Sequence, residues 1–285
     1  MIKNRFTPFT LNLRGQLKTF DHPLVMGILN LTPDSFYTLS RLNEETIIER
    51  AGQMIAEGVD ILDIGGQSTR PGAERISAEE ERMRIEPAVR AIRSAFPEVI
   101  ISIDTFYGSV AQRALELGAD LINDVSAGSL DPEIIEVAAM AGCPYVLMHM
   151  QGEPQMMQHN PQYTHVVNDI IYFFSEKIKL LRSKGIHDIV LDPGFGFGKT
   201  AEHNFELLAA THDLKLFNLP VLIGVSRKKM IQRAISGTAE EALSGTIAAN
   251  TIALLEGASI LRVHDVKPAV DARSIVLNTQ KEKGS

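Results

Sequence analysis

Apolar runs that end in a polar residue recur along the chain, each followed by a loop and then a helix-patterned segment. The runs are 24–29 ending at Asn30, 60–62 ending at Asp63, 99–103 ending at Asp104 and 121–122 ending at Asn123. They continue with 145–148 ending at His149, 189–191 ending at Asp192, 221–223 leading to Ser226 and Arg227, and 259–261 leading to Arg262 and His264. Short apolar runs alternating with helical patterns predict βα units and parallel strands. Eight such units predict an α/β protein, a (β/α)8 TIM barrel whose strand C-termini share one mouth. The polar strand ends would converge there.

The helical segments carry their own signals. Residues 44–57 place Ile47, Ile48, Ala51, Met54 and Ile55 near helical period. Ser77 and Glu80 have capping-box spacing and open the next helix. Segments 107–117, 132–141, 166–184, 202–210, 240–256 and 266–279 complete the helical set, and a further helix begins near Lys228. Gly58, Gly118, Gly142, Gly185 and Gly257 each sit just past a helical segment, where a left-handed C-cap favours glycine. Residues 9–20 alternate around Arg14 and Gly15 and predict a β-hairpin placed to plug the barrel end opposite the mouth. No low-complexity linker interrupts the series, so 1–285 reads as one domain with 1–22 as a hairpin extension. The connections 30–43 and 65–76 are long enough to act as functional lids, and 150–164 is assigned to surface packing.

Composition narrows the partners. Of 285 residues, 22% are charged and 45% hydrophobic, which is ordinary for a globular chain. A net charge of -7 argues against nucleic acid as a general partner, though a few local cations could hold a small anion. Cys143 is the sole cysteine, which excludes an intrachain disulfide and a Cys-rich metal site. The N-terminus lacks a signal-peptide core and no stretch reaches transmembrane length, so no membrane partner and a cytoplasmic location are expected.

Asp63, Asp104, Asn123 and Asp192 end four strands. Each alone would read as a cap or turn residue. Several at one mouth instead need a ligand or cation between them. Such acceptors suit a flat heterocycle with N–H donors and would also suit a metal, although the His and carboxylate spacings of a zinc site are absent. The segment 192–200, DPGFGFGKT, fails as a Walker loop because Pro193 stands where glycine is required, and its glycine spacing fails the dinucleotide fingerprint. It remains a Gly-rich turn presenting Phe195 and Phe197. Ser226 is placed to cap the helix that follows and, with neighbouring cations, to form an anion site. Lys229 reads as a solvated position. Arg262 and His264 fall on the same side of the last strand, at the position where barrel enzymes hold phosphate.

Seven blocks then resemble the dihydropteroate synthase family in order: MGILNLTPDSF (26–36), DIGGQSTRPGA (63–73), SIDT (102–105), INDVSAG (122–128), LDPGFGFGKT (191–200), GVSRK (224–228) and RVHDV (262–266). The resemblance implies an enzyme, a transferase that condenses 6-hydroxymethyl-7,8-dihydropterin pyrophosphate with 4-aminobenzoate, giving 7,8-dihydropteroate and pyrophosphate in folate synthesis. By position, Asp104, Asn123, Met148, Asp192, Gly224, Lys228 and Arg262 match the family's pterin site. Asn30, Thr69, Arg262 and His264 match its pyrophosphate site, with Asn30 similar to the Mg2+ contact and Mg2+ the implied cofactor. Arg70, Pro71, Phe197, Ser226 and Lys228 match the aminobenzoate site. Asn30, Asp104, Asp192, Lys228, Arg262 and His264 are the implied catalytic set.

The chain departs from the family after TPDSF. Where Ser-Asp-Gly-Gly is common, it reads Tyr37-Thr38-Leu39-Ser40, which leaves Asp34 as the carboxylate of that loop. The alternative reading is a methyltetrahydrofolate methyltransferase-like barrel, which would not need Ser-Thr-Arg-Pro-Gly or Ser-Arg-Lys at these places. A Schiff-base aldolase is disfavoured because none of the eight apolar runs contains a lysine. A binding barrel without catalysis is disfavoured by the full set of polar strand ends. Small residues at Gly245, Ala248, Ala249 and Ala253 point to close helix packing. The resemblance adds a homodimer formed through the late helices.

Overall fold

The computed structural model describes residues 5–31, 41–67, 75–152 and 161–280, with backbone alone for 41–43. An antiparallel hairpin, β1 (Phe9–Leu13) and β2 (Gln16–Phe20), turns at Arg14 and Gly15, both in the left-handed region. Eight parallel strands follow: β3 (Leu24–Asn30), β4 (Ile61–Gly65), β5 (Ile100–Asp104), β6 (Leu121–Asp124), β7 (Tyr145–Met148), β8 (Ile189–Asp192), β9 (Leu222–Ile223) and β10 (Ile260–Val263). They pair in the order β8-β7-β6-β5-β4-β3-β10-β9. A bridge between Leu191 and Val221, with the Leu191 amide donating to the Pro220 carbonyl at 2.9 Å, joins β8 to β9 and closes the ring. The expected (β/α)8 barrel with a hairpin at its base is the observed fold.

Helices Arg41–Ala56, Ala78–Ala95, Gly108–Glu116, Glu133–Ala141, Val166–Ser183, Ala201–Ala209, Lys229–Ile235, Leu243–Leu255 and Val266–Gln280 surround the strands. Most agree with their sequence patterns to within a residue or two. The Leu243–Leu255 helix begins three residues later than its pattern suggested, after a turn. Ser77 caps its helix by accepting from the Glu80 amide at 3.2 Å. The five glycines expected past helix ends all have positive φ. Small residues in Leu243–Leu255 do serve close packing, since a Cβ on Gly245 would lie 2.6 Å from the Ile231 side chain.

Strand side chains alternate, so residues two apart face the same side. One inward layer takes a residue from every strand: Met26, Ile61, Ile100, Leu121, Val146, Val190, Leu222 and Ile260. Leu11, Leu13 and Phe20 of the hairpin pack onto it and seal the base. Burying each such side chain contributes about 1.5–3 kcal/mol. Polar ties reinforce the seal: the Asn12 amide donates to Asp188 at 2.9 Å and Arg14 Nε to Asp120 at 2.7 Å.

Candidate active site

The same two-residue period that builds the apolar floor builds the mouth. Two residues beyond Leu121, Val146, Val190, Leu222 and Ile260 stand Asn123, Met148, Asp192, Gly224 and Arg262. Four beyond Ile61, Ile100 and Met26 stand Gly65, Asp104 and Asn30. Strand register sets Asn30, Gly65, Asp104 and Asn123 in one row. A Cβ at Gly65 would fill the space between Asn30 Oδ1 at 3.7 Å and Asp104 Oδ2 at 3.6 Å, so glycine leaves a cradle there.

Arg262 joins the carboxylates. Its Nε donates to Asp63 Oδ2 at 2.6 Å and its Nη2 to Asp104 Oδ2 at 2.5 Å. Asp63, wholly buried, also accepts from Ser102 Oγ at 2.6 Å and from Asn123 Nδ2 at 3.1 Å. Because a carboxylate can only accept, Asn123 must turn its amino group to Asp63, leaving its carbonyl oxygen as an acceptor. Asp192 Oδ1 accepts from the Gly194 amide at 2.7 Å. Among the described residues no hydrogen bond occupies Asp104 Oδ1 or Asp192 Oδ2. Burial pushes Asp104 up to about 7 against the pull of Arg262, with Asp63 adding to the rise. Burial raises Asp192 as well, with Lys228 opposing.

Lys228 lies between this acceptor row and the Gly-rich turn. Its Nζ donates to the Phe195 carbonyl at 2.5 Å and sits 5.0 Å from the centre of the Phe197 ring. Burial lowers it to about 8 despite Asp192. Gly224 keeps the space beside it open, with Lys228 Nζ 3.9 Å from where a Cβ would stand. Met148 packs with Phe106, Val125 and Phe197 as the apolar flank.

Two expectations need correction. Ser226 does not cap the following helix: Lys228 holds the N-cap position without a side-chain bond, and Ser226 Oγ instead meets the His264 amide at 3.2 Å and Nδ1 at 3.0 Å. His264 is neutral, since burial and then Arg262 lower it to about 4. A neutral ring carries one N–H, so the hydrogen bond between Nδ1 and the Ser226 hydroxyl runs in the direction its tautomer sets, and with the proton on Nε2 that N–H donates outward. Arg227, with φ 55°, is likewise not free to hold an anion: it pairs with Asp265 at 2.8 Å through both Nε and Nη2 and donates to the Ala239 carbonyl at 2.9 Å. Lys229 is exposed, as expected.

Thr69, Arg70, Pro71, Asp34 and Thr38 lie outside the described residues. The connection expected at 150–164 is described only at its two ends, where Gln151 Nε2 donates to the Gln162 carbonyl at 2.8 Å. Sequence reading left Asp63 and His149 without roles. Parity alone points to Asp63, since it stands two residues before Gly65 on the inward side of its strand. Glu81 was missed altogether because it lies on a helix: it is wholly buried, and its Oε2 accepts from Thr105 Oγ1 at 2.8 Å, directly behind Asp104.

Comparison with known proteins matches residues 26–264 to the family described as pterin binding enzyme. The dihydropteroate synthase of Escherichia coli (strain K12) is 44% identical over 273 residues, covering 95% of this chain and 96% of its own. The structure of Yersinia pestis dihydropteroate synthase in complex with a sulfonamide drug superposes with a TM-score of 0.89 at 42% identity, covering 95% of this chain and 99% of that one. The Xanthomonas albilineans dihydropteroate synthase with 4-aminobenzoic acid gives 0.89 at 38% identity, over 97% of this chain and 100% of that one. The chain belongs to the pterin binding enzyme family, and within it to the dihydropteroate synthases.

Proposed function

We propose that the barrel mouth takes 6-hydroxymethyl-7,8-dihydropterin pyrophosphate and 4-aminobenzoate, and joins them into 7,8-dihydropteroate with release of pyrophosphate. One observation carries the reading. Among the described residues, Asp104, Asn123 and Asp192 each keep an oxygen free to accept, in a mouth bordered by Lys228 and Arg262. Such acceptors suit the ring N–H and amino groups of a pterin, and the Lys228 ammonium suits its carbonyl. Met148 and Gly224 give the ring an apolar flank and clearance.

The bond between the pterin methylene carbon and the pyrophosphate oxygen breaks, and its electron pair leaves with pyrophosphate. Asp104 and Asp192, held where positive charge develops, stabilise the resulting cation. Arg262 attracts the departing anion, joined by His264 in the tautomer that carries its proton on Nε2. The arylamine nitrogen then attacks the carbon with its lone pair, and the resulting ammonium gives up its proton to water or to the released pyrophosphate. Phe197 and Lys228 border the aminobenzoate position, with Ser226 acting through His264. Thr69, Arg70 and Pro71 join the substrate sites on family likeness alone.

Mg2+ fits this donor set as an ion that arrives with its substrate. Among the described residues no group of three His, Cys, Asp or Glu side chains is placed to hold a metal. Asn30 Oδ1 and the Asp104 carboxylate beside the Gly65 cradle would offer oxygen ligands to a Mg2+ whose other positions phosphate and water supply. Bound there, it would neutralise charge on pyrophosphate.

A homodimer and a cytoplasmic location belong to the same proposal. Ile252 and Ile275, on the last two helices, are 45% and 66% exposed, apolar surface that a second copy would cover. A single-copy mass in sedimentation would remove the dimer. No helix among the described residues is long and apolar enough to cross a membrane.

The test is pyrophosphate release. Release that requires the pterin pyrophosphate, 4-aminobenzoate and Mg2+ together is expected. Pyrophosphate release that ignores the arylamine, or none at all with every component present, overturns the reading.

A further inference from the structure

Behind the Gly-rich turn lies a buried lysine that the reaction does not use. Lys199 is 3% exposed. Its Nζ lies 2.9 Å from the Gly194 carbonyl, 3.1 Å from the Phe197 carbonyl, 3.3 Å from the His149 carbonyl and 3.0 Å from His149 Nδ1. Burial, with Lys199 adding to it, lowers His149 to about 3, so its ring is neutral and Nδ1 can accept. Among the described residues, all acceptors around the ammonium therefore belong to two strand exits: the turn after β8 and the chain leaving β7.

Those two segments touch backbone to backbone. A Cβ at Gly194 would stand 1.9 Å from the His149 carbonyl oxygen, and one at Gly198 2.2 Å from that of Gln151. Both glycines have positive φ, 70° and 64°. The outer face of the same turn supplies the Phe195 carbonyl to Lys228 and the Phe197 ring beside it. Lys199 thus fastens from behind the segment that Lys228 touches from the front.

We propose that Lys199 is a positioning residue for the arylamine: with His149 it pegs residues 193–198 to the exit of β7, and so sets the Phe197 ring and the Lys228 ammonium at the aminobenzoate position. The inference rests on the function proposed above. Of the pterin contacts, Asp104, Asn123 and Arg262 lie on other strands, while Asp192 and Lys228 adjoin the pegged turn and Phe197 lies within it, so the peg bears more heavily on the arylamine than on the pterin. Its loss should therefore separate the two substrates.

The experiment measures steady-state kinetics and pterin pyrophosphate binding by calorimetry, at about pH 6, where Lys199 keeps its proton although burial lowers it to about 7. Lys199→Met should raise the KM for 4-aminobenzoate about tenfold or more, the effect of one charge-assisted hydrogen bond, and weaken pterin pyrophosphate binding by a clearly smaller factor. Lys199→Arg, which keeps charge and donors, should recover part of the loss. Added to Phe197→Ala, Lys199→Met should raise that KM little further, because both act through one wall. If Lys199→Met does not fold, His149→Leu removes the ring acceptor alone and should move the same KM in the same direction by a smaller factor. Equal losses for both substrates, full additivity with Phe197→Ala, or an unchanged arylamine KM overturn the peg. Absence of turnover in the unsubstituted enzyme overturns the proposed function instead.

Discussion

Asp63 accepts hydrogen bonds from Ser102, Asn123 and Arg262, and every acceptor position it offers is directed by them. It therefore fixes which end of the Asn123 amide meets a ligand and where the Arg262 guanidinium rests. Asp63→Asn keeps the shape but replaces one oxygen with an amino group that faces donors. We expect kcat/KM for the pterin pyrophosphate to fall about a hundredfold, in line with loss of a buried charged partner worth about 3 kcal/mol. Stability should fall less, because Arg262 keeps Asp104. Kinetics and urea unfolding on the same preparation check this, and a variant that unfolds readily yet turns over normally would contradict it. The strand-end residues Asp104, Asn123 and Asp192 were legible in the sequence because strand alternation and motif order both mark them. The Asp63 network was not, since its partners come from β5, β6 and β10 and meet only when the ring closes. Ser226 misled for a related reason: its spacing fits a helix cap, but His264, far away in sequence, takes the hydroxyl.

At the scale of elements, the helix Ala78–Ala95 reaches the site through Glu81, whose carboxyl meets Thr105 next to Asp104. Gly66 makes room for it, since a Cβ there would stand 2.9 Å from Glu81 Cγ. Burial pushes Glu81 up to about 8, opposed by the Thr105 hydrogen bond. Its folded value thus lies above the usual 4.5. The stability it contributes is fully present below 4.5 and is lost as pH rises through about 8. Glu81→Gln keeps the size and removes the titration. Its stability relative to the unsubstituted chain should therefore grow from pH 4.5 to about 8 and level off above, by an amount on the order of a few kcal/mol. Urea midpoints at several pH values test this, and a difference that does not change with pH would refute it. The elements themselves were largely readable, because period-two runs, helical stripes and glycine stops agree with one another. What pattern could not supply is a buried acid on an amphipathic helix, where Glu81 reads as one more solvated charge in an acidic first turn.

Across the whole molecule the two ends of the barrel are built on opposite terms. The base is apolar, with Leu11, Leu13 and Phe20 closing a layer drawn from all eight strands. The mouth concentrates buried carboxylates and one lysine whose pKa values burial displaces, an arrangement that opposes folding until a ligand satisfies it. The hairpin therefore supplies stability at a distance from the chemistry. Leu11 is 2% exposed, and Leu11→Ala should cost about 2–5 kcal/mol by lost burial and a cavity, while kcat stays unchanged. Saturation with the pterin pyrophosphate should return stability by linkage, about 2.7 kcal/mol at a ligand concentration a hundred times Kd. Because the two perturbations share no partners, their effects should add to within about 0.5 kcal/mol. The ligand-induced gain measured by urea unfolding should then be the same in Leu11→Ala as in the unsubstituted chain. A smaller gain in the variant would mean that the hairpin shapes the mouth through the barrel, and that floor and site are one cooperative unit rather than two.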